Sequence, residues 1–447
     1  MTKIAIIGAG SAVFSLNLVR DLCLTPNLHG SSIHFMDVDG RRLAAVTKLC
    51  SRYAAEVGAE LEIRQSTDRR EALAGAEFVI NAALTAGYDR LFEGWDIAAR
   101  LGYRHGGSLH VMHDEAFWIN FHQLLFFESV VEDVLDVCPS AWVLQVANPV
   151  LAGVTHLGRK YPEARVVGLC HGFLDIYRVA DALGIDRATL EFEIPGVNHF
   201  VWLTRLSSDG RDAVPLLGEW VERHGPTHWE TCGLGDPLGP KVCDLYRRFG
   251  VLPIGDTGTF GGGSWGWWYH VDAETEARWR ENPALQWEAK FASDLDRVTR
   301  IQQVAADPDV PVTREFAPEL SGELIIPMIE SLACDVPRVL VGNVLNAENA
   351  VPDVPTDFAV EVPLSVGGHG IRPTPTTPLP PSVIAHALRD YVAPVNLELQ
   401  ALEEKRLDPL LELILTDRWT RSERMARDLL EAIAALPYHR ELRDHYR

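Results

Sequence analysis

The chain has 447 residues, 47% of them hydrophobic, enough to bury a large core and to divide into two closely packed domains. Its 41 basic and 62 acidic residues leave a formal charge of −21, spread along the sequence, which disfavours nucleic acid and anionic membranes as partners but not a small anionic ligand. Cys23, Cys50, Cys138, Cys170, Cys232, Cys243 and Cys334 are irregularly spaced and argue against a disulfide framework. No signal-peptide pattern precedes the first strand and no apolar run is long enough to span a bilayer, so the expectation is a soluble, cytoplasmic protein. Repeats and low-complexity segments are absent.

The apolar run Lys3 to Ile7 reads as a buried parallel strand. Gly8-Ala9-Gly10-Ser11 follows at once, then a helical pattern from about Val13 to Cys23. Strand, glycine turn and helix make a phosphate cradle: small residues let the backbone approach a pyrophosphate, and the helix amino terminus favours its charge. Val13 stands where the third glycine of GxGxxG falls, so this helix must pack differently on its strand. A second strand, Ser32 to Met36, ends at Asp37, 27 residues beyond Gly10. An acid there accepts a hydrogen bond from a ribose hydroxyl and repels a 2′-phosphate, favouring NAD over NADP. The expected nucleotide-binding residues are therefore Gly8, Gly10, Ser11 and Asp37.

The next strands, Phe78 to Ala82 and Trp142 to Ala147, lead into the loops Ala83 to Asp89 and Asn148-Pro149, placing polar residues beyond strand ends where ligands bind in doubly wound sheets. Between them Asp114 to Val137 reads as a helix closed by Pro139. Its first turn carries His113, Asp114 and Glu115, which either complement the helix terminus or bind a ligand's hydroxyls. Val166 to Leu169 is a further strand, ending at Cys170-His171-Gly172 before a helix from about Leu174 that stops at Gly184. Glu191 to Ile194 and Val201 to Leu206 read as strands around Pro195-Gly196-Val197-Asn198-His199. A thiolate, an imidazole and an amide oxygen from these strand ends could share a divalent ion. The 29 residues between Cys170 and His199 match no short metal signature, however. A buried structural cysteine and a hydrogen-bonded histidine are the commoner arrangement.

Beyond Asp256, helices are expected near Pro283 to Val304 and Gly322 to Cys334 and strands near Val339 to Val344 and Phe358 to Val366. The proline-rich Pro373 to Pro381 then leads into a helical tail. No flexible linker separates the halves. The expected fold is α/β, a Rossmann-type doubly wound sheet over residues 1–195, followed by a mixed α+β domain over 196–447 for substrate, metal and oligomer contacts.

Lys3 to Phe14 (KIAIIGAGSAVF), Ala147-Asn148-Pro149, Gly168-Leu169-Cys170-His171-Gly172, Gly196-Val197-Asn198-His199, Pro253-Ile254-Gly255-Asp256-Thr257 and Gly370-Ile371-Arg372-Pro373 occur in this order over most of the chain. The combination resembles glycoside hydrolase family 4 and the neighbouring NAD-dependent sulfoquinovosidases. That resemblance implies a lactate/malate-dehydrogenase-like fold using NAD and usually Mn(II) to cleave glycosidic bonds, an exception to the two-carboxylate mechanism. It implies hydride removal from C3, loss of the C2 proton, elimination of the aglycone, addition of water and return of the hydride. By the family pattern Cys170 and His199 are metal ligands, Asp256 is the base and Asn148 and Asn198 bind substrate. His171 is either the acid for the leaving oxygen or a support for the metal site. Mn(II) prefers oxygen and nitrogen donors, so a thiolate site also attracts Zn(II), Fe(II) or Co(II).

The triplet Cys170-His171-Gly172 resembles the uronate-cleaving members, which points to an α-glucoside with an anionic C6 group, a sulfoquinovoside or a glucuronide. Arg90, Arg104 and Arg372 are candidates to hold that anionic group, and Asp114 to bind the sugar's hydroxyls. The segment Pro253 to Thr257 resembles the neutral α-glucoside and α-galactoside branches, which keeps those sugars open. The tract Phe260 to His270, rich in glycine and tryptophan, reads as a cover over a sugar face. Family members usually assemble as dimers or tetramers, so a homo-oligomer is expected. The rival readings are a plain NAD-dependent hydroxyacid or sugar dehydrogenase and a non-catalytic NAD-sensing protein.

Overall fold

A computed structural model describes residues 2–259 and 265–446. The first part of the expected cover, 260–264, lies outside the described residues. Six strands, β1 (Lys3–Ile7), β2 (Ser32–Met36), β3 (Glu62–Ser66), β4 (Phe78–Asn81), β5 (Trp142–Gln145) and β6 (Arg165–Gly168), pair in parallel in the order 3-2-1-4-5-6. This is the order of a complete dinucleotide-binding Rossmann sheet. Five of the six are short, mainly apolar runs because helices cover both faces of a parallel sheet and leave the middle strands no wet side. The outer strand β3, Glu-Ile-Arg-Gln-Ser, is half polar and mostly exposed, and no apolar run announces it.

The remaining strands are β7 (Leu190–Glu193), β8 (Gly196–Val197), β9 (Phe200–Leu203), β10 (Arg205–Ser208), β11 (Arg211–Asp212), β12 (Leu252–Ile254), β13 (Arg338–Leu345), β14 (Ala359–Gly367) and β15 (Gly370–Pro373). Strand β13 lies antiparallel beside β6, and the sheet continues through β14, β8, β9 and β12 without a break, with β15 on β14. The second half therefore extends the nucleotide sheet rather than folding apart from it. Strands β7, β10 and β11 form a small separate sheet.

Two boundaries correct the sequence reading. The helix expected from Asp114 starts at Phe117, with Ala116 as its N-cap, so His113, Asp114 and Glu115 sit on a loop. Acids at a helix terminus therefore do not explain them. The run Val201 to Leu206, read as one strand, breaks at Thr204: β9 stays in the large sheet while β10 pairs with β7 in the small one. Thr204 donates its N–H to the Glu193 carbonyl, which carries the chain across.

One apolar core runs from the nucleotide sheet to the last helices, joining residues such as Ile6, Phe127, Val360, Tyr391 and Leu430. A second cluster lies under β9, β12 and the helix Pro240–Phe249. Among the described residues no helix is long and apolar enough to cross a membrane.

Candidate active site

The carboxyl ends of β1, β2, β4, β5 and β6 all open on one edge of the sheet, and the loops that begin at Gly8, Asp37, Ala83, Asn148 and Cys170 leave from that edge. The glycine turn after β1 is tight. Gly8 has φ +88°, and a Cβ there would lie 2.6 Å from Ala83 Cα; a Cβ on Gly10 would lie 2.5 Å from Asp37 Oδ2. The Asp37 carboxylate accepts the Gly10 N–H at 2.9 Å and the Asp39 N–H at 2.9 Å. The acid expected at the end of β2 thus stands against the glycine turn. Ser11 caps the helix Ala12–Cys23 by backbone only, with no hydroxyl bond to the first-turn N–H groups. Those donors remain available to an anion. A backbone brought this close, with an acid at its rim, fits a dinucleotide.

A buried amide chain fixes the next two loops. Asn81 donates to Gln145 Oε1 at 2.9 Å, and Gln145 donates to the Ala147 carbonyl at 2.8 Å. Gln123 accepts from both the N–H and the hydroxyl of Thr85. This places Asn148, joined to Pro149 by a cis peptide, so that its amide donates to Asp114 Oδ2 at 3.4 Å. Asp114 Oδ1 lies 2.7 Å from His113 Nδ1. Burial would raise the Asp114 carboxyl, but the His113 imidazole, aided by His199 and Lys290, holds it well below the usual range.

His199 is the centre of the site. It turns the chain between β8 and β9 with φ +61°, a region that costs a non-glycine residue roughly 1–2 kcal/mol. Its carbonyl accepts from the Tyr391 hydroxyl at 3.2 Å. A carboxylate stands at each ring nitrogen: Nδ1 is 2.8 Å from Glu115 Oε1 and Nε2 is 3.3 Å from Asp256 Oδ2. Cys170 hydrogen-bonds the same imidazole. Burial alone would lower the His199 pKa, yet Asp256, Glu115 and Cys170 together raise it well above its ordinary value. The surroundings favour positive charge at this point. Burial in turn pushes the Cys170 thiol up, and only His199 draws it back.

Asp256 arrives because two loops touch. Gly255 has φ +60°, and a Cβ there would lie 2.5 Å from the Gly172 carbonyl oxygen, so a side chain at Gly255 would drive the Asp256 turn away from Cys170. The Asp256 side chain is 24% exposed and Cys170 is half-buried, so both reach the cleft. The donor types converging on His199, thiol, imidazole and carboxylate, suit a divalent cation. A second donor group surrounds the other nitrogen: the ligand atoms of His113, Glu115 and His199, all buried, lie within 4.8 Å of one another.

Other expected residues fall elsewhere. Asn198 is buried: its Nδ2 donates to Glu361 Oε2 at 2.6 Å, beside Asn343 at 3.2 Å, which braces the β8 turn, while its amide oxygen has no hydrogen-bond partner among the described residues. Arg90 lies over the Tyr438 ring, 5.0 Å from its centroid, and Arg104 is tied to the Val271 carbonyl and Glu276. Arg372 is exposed on β15, opposite Ser365. A long flexible cation at a loop or edge cannot be aimed from sequence alone. His171 is 74% exposed at its side chain and 3.7 Å from Glu323 Oε1. In the described part of the expected cover, Trp265 and Tyr269 are buried in the core. Two residues that the sequence reading gave no role matter here, Lys290 acting on Asp114 and Tyr391 holding the His199 carbonyl, while Glu115 and His113, read as candidates for a ligand's hydroxyls, stand beside His199.

Comparison with known proteins places this arrangement in a class. Profiles of the family 4 glycosyl hydrolases match residues 3–185, and of their C-terminal domain residues 194–420. The chain belongs to the family 4 glycosyl hydrolases, and it is an enzyme of the glycosidase class. It is 24% identical to an alpha-galactosidase of Bacillus subtilis (strain 168) over 445 residues, covering 96% of each chain. It is also 24% identical to an alpha-galacturonidase of Lachnoclostridium phytofermentans over 472 residues, covering 97% of this chain and 96% of the relative. A 6-phospho-alpha-glucosidase from gut microorganisms, solved in complex with NAD and Mn2+, superposes with a TM-score of 0.76 at 18% identity over 97% of each chain.

Proposed function

We propose that this protein hydrolyses α-glycosides with NAD and a divalent cation, Mn(II) or a close substitute, by oxidation at C3, deprotonation at C2 and elimination of the aglycone. The observation that carries the reading is the meeting of Cys170, His199 and Asp256 at the strand edge that also bears the nucleotide cradle. When bound, NAD supplies a reversible hydride acceptor for C3, and the cation, held by Cys170 and His199, supplies a Lewis acid for the neighbouring sugar oxygens. Asp256 removes the C2 proton, which a ketone at C3 makes acidic enough for a carboxylate. Asp114 and Asn148, hydrogen-bonded to each other, offer an ionised acceptor and an amide to the ring hydroxyls. His171, next to Cys170 in the chain and largely exposed, protonates the departing oxygen; water then adds to the unsaturated sugar and the hydride returns to C3. Residues 1–195 carry the nucleotide and 196–447 supply His199 and Asp256.

For the substrate we favour an α-glucoside with an anionic C6 group, a sulfoquinovoside or glucuronide. Support comes from Cys170-His171-Gly172, where glycine leaves room beside the histidine, and from similarity to an alpha-galacturonidase, whose name denotes an acidic sugar. The three arginines read from the sequence are placed elsewhere; the cation acting on Asp114 is Lys290, which is bonded to Asp294 at 2.8 Å. A neutral α-glucoside or α-galactoside is the second reading, favoured by the similarity to an alpha-galactosidase.

The test is a panel of 4-nitrophenyl α-glycosides (glucoside, galactoside, glucuronide and sulfoquinovoside) incubated with protein, NAD, Mn(II) and a reductant. Nitrophenol release that needs both NAD and metal, without net NADH, is the expected result, fastest on an acidic sugar. NADH formed in proportion to product without glycoside cleavage would make the protein a dehydrogenase instead.

A further inference from the structure

His199 presents two donor sets, one at each ring nitrogen, and a neutral imidazole offers a metal only one of them because the other nitrogen keeps its proton. On the Nε2 side stands Asp256, which reaches the cleft. On the Nδ1 side stands Glu115, whose side chain is 2% exposed, with His113 behind it. A cation on the Nδ1 side would be sealed from any sugar; one on the Nε2 side would meet it. The backbone of His199 is already fixed by its left-handed turn and by the Tyr391 hydroxyl, so the remaining freedom is rotation of the ring and choice of tautomer.

We propose that Glu115 is a positioning residue: it accepts the Nδ1–H of His199 and thereby holds the Nε2 lone pair toward Asp256 and the cleft for a divalent cation. The inference rests on the metal-dependent function proposed above and assigns the role of a residue that function does not use. Glu115 is well placed to stay put. Its loop is closed by the Phe117 N–H, which bonds the His110 carbonyl at 2.9 Å, and the chain enters a 21-residue helix two residues later. Behind it lies a buried group in which Asn120 donates to Glu398 at 3.1 Å and His110 stands 3.7 Å from the same carboxyl. Burial, with the Glu115 charge nearby, pushes Glu398 up to about 8, so at neutral pH it mostly carries a proton and repels Glu115 little. A carboxylate behind a metal-binding histidine fixes the tautomer and raises the ring's basicity, and its loss typically weakens metal binding about 10–100-fold.

The experiment compares wild type, Glu115→Gln and Cys170→Ser as full-length proteins stripped with a chelator. Mn(II) affinity is read from the paramagnetic resonance of free Mn(II), with NAD affinity and melting temperature measured alongside. Glutamine fills the same space but can donate to Nδ1, which favours the wrong tautomer. The expected result for Glu115→Gln is Mn(II) affinity lowered about 10–100-fold with NAD affinity and melting temperature unchanged. Unchanged Mn(II) affinity would overturn the proposal. Loss of binding in Glu115→Gln with retention in Cys170→Ser would also overturn it, because the cation would then sit on the Nδ1 side with Glu115 as ligand. Wild type that takes up no Mn(II), with or without NAD, would remove the metal-dependent function itself.

A second measurement avoids any variant. In wild type loaded with 113Cd(II) and carrying 15N-labelled histidine, metal coupling at His199 must appear at Nε2. Coupling at Nδ1 would overturn the assignment.

Discussion

Single atoms decide much in this site. Replacing Gly10 by alanine puts a methyl carbon 2.5 Å from Asp37 Oδ2, and the turn or the acid must move. We expect Gly10→Ala to weaken NAD binding at least tenfold while Mn(II) binding in the absence of NAD is kept; titration of each ligand separately checks this. Far from the cleft, His439 and His122 bring ring nitrogens within 3.1 Å, with Arg90 beside them and Glu441 at 3.8 Å from His122. Burial, His122 and Arg90 push the His439 pKa down to about 3. The unfolded chain takes up that proton below about 6.5, the folded protein only near 3, so stability is lost as pH falls through this window. At pH 5 the loss from this one group is roughly 2 kcal/mol. Calorimetry at pH 7.5 and 5 is expected to show a smaller drop in melting temperature for His439→Asn than for wild type; an equal drop would place the sensitivity elsewhere.

At the level of elements, what was legible follows the solvent. Strands β1, β2, β4, β5 and β6 announced themselves because each is short, apolar and followed by glycine or a polar loop. The polar outer strand β3 did not, since an edge strand with a wet surface has no such signature. His113, Asp114 and Glu115 were visible as a polar cluster but were placed in a helix that begins three residues later. That boundary hid their role, because on a helix they would point apart, whereas on a loop His113 and Glu115 both turn to His199. Cys170, His199 and Asp256 were legible through their motifs. The brace on Asn198 was not legible, because nothing local shows that Glu361, on a strand 163 residues away, takes its amide N–H. Helix packing supplies another test. Gly94 lies in the helix Tyr88–Leu101, and a Cβ there would come within 2.3 Å of the Trp118 ring of the helix Phe117–Val137. Gly94→Ala therefore forces two buried elements apart, against a helix-propensity gain of only ~1 kcal/mol. A net destabilisation of about 1–3 kcal/mol, read as a lower urea midpoint, is expected.

Across the whole molecule, the expectation of two halves without a linker has a stronger physical form: one sheet and one core run through both. Such a molecule should unfold as a unit. Scanning calorimetry is expected to give one transition, and NAD at 100 times its dissociation constant should stabilise that whole transition by about 2.7 kcal/mol. Two separable peaks, only one of them moved by NAD, would show that the halves are energetically independent.

Strand β6 ends the parallel series, and its open side is covered by β13, made about 170 residues later. While the chain is being synthesised, the nucleotide half must wait with an unpaired strand edge exposed, for roughly 10–30 s at usual translation rates. A bare edge of this kind recruits any other extended chain nearby. The protein is thus most vulnerable to aggregation before it leaves the ribosome, and a translational pause placed between β6 and β13 should lower its yield more than the same pause placed after β14.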